Sequence, residues 1–365
     1  MRQIAHPEEI RVLITDDSAF MRTALTRLVQ SDPELVVVST ARDGTEALEA
    51  IRKAQPDVMT LDLEMPRLGG LELLRVLRQQ GSSLPVIVVS SLTSDGAAAT
   101  LEAFELGAFE CIPKPLSYAC LDIVNIRDDL VAKIKAAANC ENDRQLPVAL
   151  PITKGKARSR QEAAPLPLVI AIGISTGGPK ALHEMLPRLP ADFPVPILIV
   201  QHMPPGFTQA FAQRLNHLSP MAVSEARDGQ GLEPGNVMIA PGGKHMILRQ
   251  AHTRMQVRIS SEPNHTLHVP SVDVMMRSVA ECCHGRSLGL IMTGMGSDGM
   301  QGMQAIAKAG GFTIGQSAES CTVYGMPRAC AELGLLKRVV DLKDIPDTLL
   351  WAVGRERQTS VFAAL

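Results

Sequence analysis

A serine stands between two glycines in Gly173-Ile174-Ser175-Thr176-Gly177, directly after the apolar run Leu168–Ile172. The G-x-S-x-G spacing at a strand end describes a tight strand-to-helix turn that exposes a hydroxyl. Glycine is needed where such a turn leaves no room for a Cβ. The spacing also suits an ordinary glycine-serine loop, so the hydroxyl needs partners before it reads as a nucleophile. His202 leaves the next apolar run, in Gln201-His202-Met203-Pro204-Pro205-Gly206. Imidazole titrates near neutrality and can take a serine proton and return it. Of the nine histidines, the nearest rival is His245, after Pro241-Gly242-Gly243-Lys244. Asp298 lies in a third glycine-dense turn, Thr293-Gly294-Met295-Gly296-Ser297-Asp298-Gly299. It reads either as a helix cap or as the carboxylate that fixes a histidine tautomer. The exposed N–H groups of such a turn also suit an oxyanion.

A second constellation lies nearer the N-terminus. Asp16 and Asp17 end one apolar run, Asp62 ends another, Ser90 a third, and Lys114 follows a fourth. Asp16 and Asp17 alone could cap the next helix. Together, three carboxylates, a hydroxyl and an ammonium at strand ends imply more. Carboxylates crowded together repel unless a cation neutralises them, and hard oxygen donors suit Mg²⁺. A metal beside Asp62 would bring in a phosphoryl group, whose oxygens the lysine and hydroxyl would hold.

Both constellations need sheets whose strand ends converge. Over residues 10–135, apolar runs at Ile10–Thr15, Leu35–Ser39, Val58–Leu61, Val86–Ser90 and Glu110–Ile112 alternate with helical patterns such as Phe20–Gln30 and Leu71–Gln79. This alternation predicts a five-stranded parallel sheet covered on both faces. Residues 136–166 break the pattern with prolines, small residues and the basic cluster Lys154, Lys156, Arg158 and Arg160, and read as a linker. A second alternation occupies 167–356. Its strand-like runs are Leu168–Ile172, Ile197–Val200, Val237–Ala240, Met246–Leu248, Val257–Ser260, Leu288–Met292, Phe312–Ile314 and Val339–Asp341. Helical patterns include Lys180–Leu186, Phe207–Leu215, Val272–Cys283, Met300–Ala309 and Ile345–Val353.

Composition narrows the classes. A chain of 365 residues has room for two cores. A net charge of -2 and 3% aromatic content supply neither the field nor the stacking platform that nucleic acid requires. No apolar run reaches membrane-spanning length, and the first ten residues lack a signal-peptide core. Seven cysteines without C-x-x-C pairing fit reduced thiols in a cytoplasmic protein. The order Ser175, His202, Asp298 departs from the Ser, acid, His order of α/β-hydrolases. The glycines also fail the G-x-G-x-x-G dinucleotide fingerprint.

The motifs Leu13-Ile14-Thr15-Asp16-Asp17-Ser18, Leu61-Asp62-Leu63-Glu64-Met65-Pro66 and Lys114-Pro115 resemble the response-regulator receiver family. That resemblance implies a flavodoxin-like fold with Asp62 as phosphoacceptor. Asp16, Asp17 and Asp62 would lie around Mg²⁺, and Ser90 and Lys114 would read the phosphoryl group. One position departs from the family pattern: Cys111 stands three before the lysine, where an aromatic residue is frequent.

The three glycine-dense motifs of the second half resemble the catalytic domain of the CheB family of chemotaxis protein-glutamate methylesterases. The resemblance implies a Rossmann-like doubly wound domain and a serine hydrolase without a cofactor for hydrolysis. Ser175, His202 and Asp298 would form its triad, with Thr176 and the Met295 backbone shaping the oxyanion hole. The expected substrates are γ-glutamyl methyl esters and certain glutamines of methyl-accepting chemotaxis receptors, and the expected phosphodonor is a CheA-type histidine kinase. An unphosphorylated receiver would cover the catalytic entrance. Two other readings stay open at this level: a phosphorylation-gated receptor-binding scaffold without turnover, and a hydrolase of the same fold acting on another ester or amide.

Overall fold

Apolar runs rich in Val, Ile and Leu form strands where both faces of a sheet are covered. The computed structural model describes residues 9–91, 93–114, 120–139, 168–252 and 254–354. It divides into two units, 1–141 and 142–365. From residue 140 onward the expected linker, with its basic cluster, lies outside the described residues.

In the first unit the strands are β1 (Ile10–Thr15), β2 (Leu35–Ala41), β3 (Val58–Asp62), β4 (Val86–Ser90) and β5 (Glu110–Pro113). They form one parallel sheet in the order β2-β1-β3-β4-β5. This is the flavodoxin-like order, whose winding reverses between β1 and β3. The helices are α1 (Ala19–Val29), α2 (Gly44–Ala54), α3 (Gly70–Gln79), α4 (Ser94–Glu105) and α5 (Cys120–Asn139). On one face of the sheet Val12, Ile14, Ile87 and Val89 pack with Leu25 and Val29 of α1 and Leu130 and Ile134 of α5. Ser18, not Asp16 or Asp17, caps α1, its hydroxyl accepting from the Met21 N–H. Both aspartates are thereby left for other work.

The second unit begins with β6 (Val169–Ile174) and α6 (Gly178–Met185), then β7 (Ile197–Gln201), α7 (Phe207–Leu218), β8 (Ala222–Glu225) and β9 (Asn236–Ile239). After β10 (His245–Ala251) and β11 (Arg254–Ser260) come α8 (Val272–Cys283), β12 (Ser287–Ile291), α9 (Met300–Lys308) and β13 (Phe312–Gln316). The chain then forms α10 (Met326–Glu332), β14 (Arg338–Val340) and α11 (Ile345–Ala352). Seven strands make a parallel sheet in the order β14-β13-β12-β6-β7-β9-β8. The chain starts in the middle, builds outward on one side and then on the other, which is a doubly wound sheet with its switch between β6 and β12. Every residue of β6, β7 and β12 is buried. Val272, Met275, Met276 and Val279 of α8 join Ile291 and Met303 in the core beneath them.

The sequence runs at Met246–Leu248 and Val257–Ser260 do not extend this sheet. They belong to β10 and β11, an antiparallel ribbon of its own. A connection of only two residues, 252 and 253, permits no parallel crossover. Met246, Leu248 and Val257 still point into the core, so the ribbon covers α8 on one face.

Candidate active and phosphoacceptor sites

Ligands of open α/β sheets sit where the winding reverses, outside the carboxyl ends of the strands. Ser175 lies one residue beyond β6, His202 one beyond β7, and Asp298 in the turn after β12. The hydrogen bond from the His202 N–H to Ile174 O ties the histidine to the end of β6. The bond from the Ser175 N–H to Thr293 O ties the serine to the turn after β12. Gly177 adopts φ +77°, and a Cβ there would meet Thr322 at 2.4 Å. At Gly294 a Cβ would stand 2.8 Å from Ser175 Cβ, so only glycine lets that turn approach the serine.

The three side chains form one line. His202 Nδ1 lies 3.1 Å from Ser175 Oγ, and His202 Nε2 lies 2.8 Å from Asp298 Oδ2. With Nε2–H donated to the carboxylate, Nδ1 is left as the acceptor for the serine hydroxyl. The carboxylate is held from every side. Oδ2 also accepts from the Val272 N–H at 2.7 Å. Oδ1 accepts from Ser271 Oγ at 2.9 Å and from the Asp273 and Gly299 N–H groups at 3.1 Å. Two of these donors belong to the first turn of α8, whose dipole favours an anion. Burial alone would raise the Asp298 pKa. The hydrogen bond and charge of His202 and the α8 N–H groups outweigh it and hold the carboxyl well below the usual range. Asp298 therefore both orients the imidazole and accepts from the first turn of α8; α9, the helix its own turn opens onto, has Gly299 at its N-cap without a side-chain bond, so the reading of Asp298 as the cap of that helix does not hold.

Thr176 is buried, and its carbonyl accepts from Thr293 Oγ at 2.9 Å. Met295 is half-buried in the turn after β12. His245 is fully buried, away from the serine. Its Nδ1 accepts from the Ser271 N–H at 3.1 Å and its Nε2 donates to Pro263 O at 3.0 Å, which fixes a neutral tautomer. Burial lowers its pKa in the same sense. The rival for the role of base is thus an anchor for the segment that carries Ser271. Ser271 itself, Gln201 and His268 escaped the sequence reading. Gln201 Nε2 donates to Ser175 O at 3.0 Å and to His202 O at 3.2 Å, joining the two turns. The His268 ring stacks on His202 with centroids 4.2 Å apart. Only Ser271 had a local signal, as a serine ahead of an apolar helical run.

In the first unit Asp16, Asp17 and Asp62 place carboxylate oxygens within 4.8 Å of one another. Asp16 and Asp62 are buried and Asp17 is exposed. Lys114 Nζ lies 2.6 Å from Asp62 Oδ2 but 3.5 Å from Asp16 Oδ2. One lysine does not satisfy both. Asp16 Oδ2 accepts no hydrogen bond of good geometry among the described residues. Burial pushes the Asp16 carboxyl up, and that of Asp62 to about 6, against the pull of Lys114. A buried oxygen without a donor beside two further carboxylates is what a hard cation requires, so these residues fit Mg²⁺. Ser90 Oγ donates to Gly96 O at 3.2 Å, at the start of α4. Cys111 is buried, its thiol pushed up to about 12 by desolvation, and it offers no ring to swing.

The receiver fold and the methylesterase fold each have a matching family model. Residues 12–123 match the response regulator receiver domain and residues 170–349 match CheB methylesterase. A protein-glutamate methylesterase/protein-glutamine glutaminase of Oleidesulfovibrio alaskensis is 46% identical over 94% of this chain and 99% of its own. One of Symbiobacterium thermophilum is 46% identical over 94% of this chain and 97% of its own. The crystal structure of the Thermotoga maritima CheB methylesterase catalytic domain is 38% identical, with a TM-score of 0.50, over 51% of this chain and 98% of that one. Identity of this depth along nearly the whole length places the chain in the CheB family of protein-glutamate methylesterases/protein-glutamine glutaminases, with an N-terminal response-regulator receiver domain.

Proposed function

We propose that Ser175, His202 and Asp298 are the triad with which this chain hydrolyses γ-glutamyl methyl esters of chemotaxis receptors, under control of phosphorylation at Asp62. The observation that carries the reading is the unbroken hydrogen-bonded line from Ser175 Oγ through His202 to Asp298. Ser175 Oγ attacks the ester carbonyl while His202 Nδ1 takes its proton. The tetrahedral intermediate collapses, the C–O bond to the methoxy group breaks, and methanol leaves with that proton. Water, deprotonated by His202, then cleaves the acyl-serine and releases glutamate. The same sequence applied to a glutamine side chain releases ammonia. Asp298 stays ionised throughout and stabilises the imidazolium. Among the described residues, the backbone N–H groups of Thr176 and Met295 are not engaged in hydrogen bonds, and we assign them to the oxyanion, where one donor is worth about 3–4 kcal/mol. A scaffold without turnover would have no use for this line, and nothing favours that alternative.

Asp16, Asp17 and Asp62 would hold Mg²⁺, which would neutralise the charge on an entering phosphoryl group. Lys114 would bind the phosphoryl oxygens, and Ser90, released from Gly96, would reach them and draw in the start of α4. The receptors are the substrates and a CheA-type histidine kinase the phosphodonor. We place the enzyme in the cytoplasm; the cysteines at 111, 282, 283, 321 and 330 are free, and no described helix is long and apolar enough to cross a membrane. The deciding experiment is methanol release from methylated receptors, with and without acetyl phosphate. Release that survives Ser175→Ala would refute the triad. A fragment of residues 165–365 with raised basal activity would support inhibition by the receiver, and a folded fragment with no rise would count against it.

A further inference from the structure

Two hydrogen bonds at opposite nitrogens leave an imidazole free to rock about the line that joins them. Ser175 and Asp298 hold His202 in that way, so its ring plane needs a third contact. The His268 ring supplies one, with its centroid 4.2 Å from that of His202 and its plane inclined by 20°. We propose that His268 is a positioning residue for hydrolysis, whose flat face fixes the plane of His202 so that Nδ1 stays aimed at Ser175 Oγ. The inference rests on the triad reading above.

The segment that carries His268 is built to be stiff. His245, fully buried on β10, holds it at three places. Its Nε2 donates to Pro263 O at 3.0 Å and faces Thr266 Oγ at 3.3 Å, and its Nδ1 accepts from the Ser271 N–H at 3.1 Å. Thr266 Oγ in turn donates to His268 O at 2.9 Å. Thr266 and His268 face the protein while Leu267, between them, is 92% exposed. The chain bends through Thr266–Pro270, with one side held against the protein and Leu267 turned outward. Its far end delivers Ser271 Oγ to Asp298. One anchored segment thus supports the base on its face and the acid at its carboxylate.

The test compares His268→Ala with His268→Phe, which keeps a flat face and discards the nitrogens. Methanol release from methylated receptors gives kcat and KM, and the inactivation rate with a fluorophosphonate reports Ser175 reactivity without the receptor. We expect His268→Ala to lower kcat and the inactivation rate together by roughly 10- to 100-fold at unchanged KM, because small misplacements of a reacting group cost that much. His268→Phe should recover most of the loss. Wild-type kcat in His268→Ala, a change confined to KM, or a His268→Phe protein that melts like wild type yet is as slow as the alanine variant would each overturn the proposal. Ser175→Ala in the same assay separates the two levels: activity there would overturn the triad itself, whatever the His268 variants do.

Discussion

The two sites occupy the same place in the same kind of sheet, yet their acids are treated in opposite ways. Asp298 accepts five hydrogen bonds and is held firmly ionised. Asp16 and Asp62 are as deeply buried but share one lysine, and burial pushes both carboxyls toward the protonated form. A catalytic acid gains from donors fixed before the substrate arrives, since nothing then has to reorganise in the transition state. A switch gains from the reverse. Its apo state must be incomplete, so that a cation and a phosphoryl group make a large difference when they bind.

The most severe way to break this contrast is to remove the parts of the preorganised site. Ser175→Ala should lower methanol release by roughly 10⁶-fold, and Asp298→Asn by about 10⁴-fold through the wrong tautomer. Melting of Ser175→Ala should stay at the wild-type temperature. On the switch side, Asp62→Asn should abolish stimulation by acetyl phosphate, read as the ratio of rates with and without the donor.

The pH dependence should divide the sites further. With Asp62 near pH 6, a cation has to displace a proton below that value, so Mg²⁺ affinity measured calorimetrically should fall up to tenfold per unit from pH 6 to 5 and level off above it. Asp298 works in the other sense. Its folded pKa lies below its unfolded one, so its contribution to stability is complete above about pH 4 and is lost only as pH falls further. Fluorophosphonate labelling should therefore show no acid limb from Asp298 near pH 6. The smallest effect belongs to Ser271→Ala. It removes one of five donors to the carboxylate, worth roughly 1.5–3 kcal/mol, and should lower kcat by roughly 10- to 100-fold while leaving KM unchanged.

The parallel sheets and the strand-end residues were legible because buried strands read as continuous apolar runs and their turns need glycine. Ser175, His202, Asp298 and the receiver aspartates all stand in such turns. The ribbon β10–β11 was misread as part of the alternation, since a strand's pairing partner is not written in its own pattern. β8 went unnoticed because only Val223 of its four residues is buried. His268 and the role of His245 were illegible for a different reason. Their contacts join residues through tertiary packing, with no period or spacing to mark them. His245 even looked like a candidate base, until its Nδ1 proved to be occupied by a backbone N–H.

A doubly wound sheet must send one connection across its middle strand, and here that connection runs from β9 to β12. The traverse carries the ribbon, the segment held by His245 and helix α8, none of which adds a strand to the sheet. Its exposed side chains can therefore be exchanged without disturbing the strand ends that hold the serine and the histidine, as long as the spacing of Thr266, His268 and Ser271 is kept. Leu267, almost wholly in solvent on this traverse, marks where a lineage could alter what approaches the serine while keeping its chemistry intact.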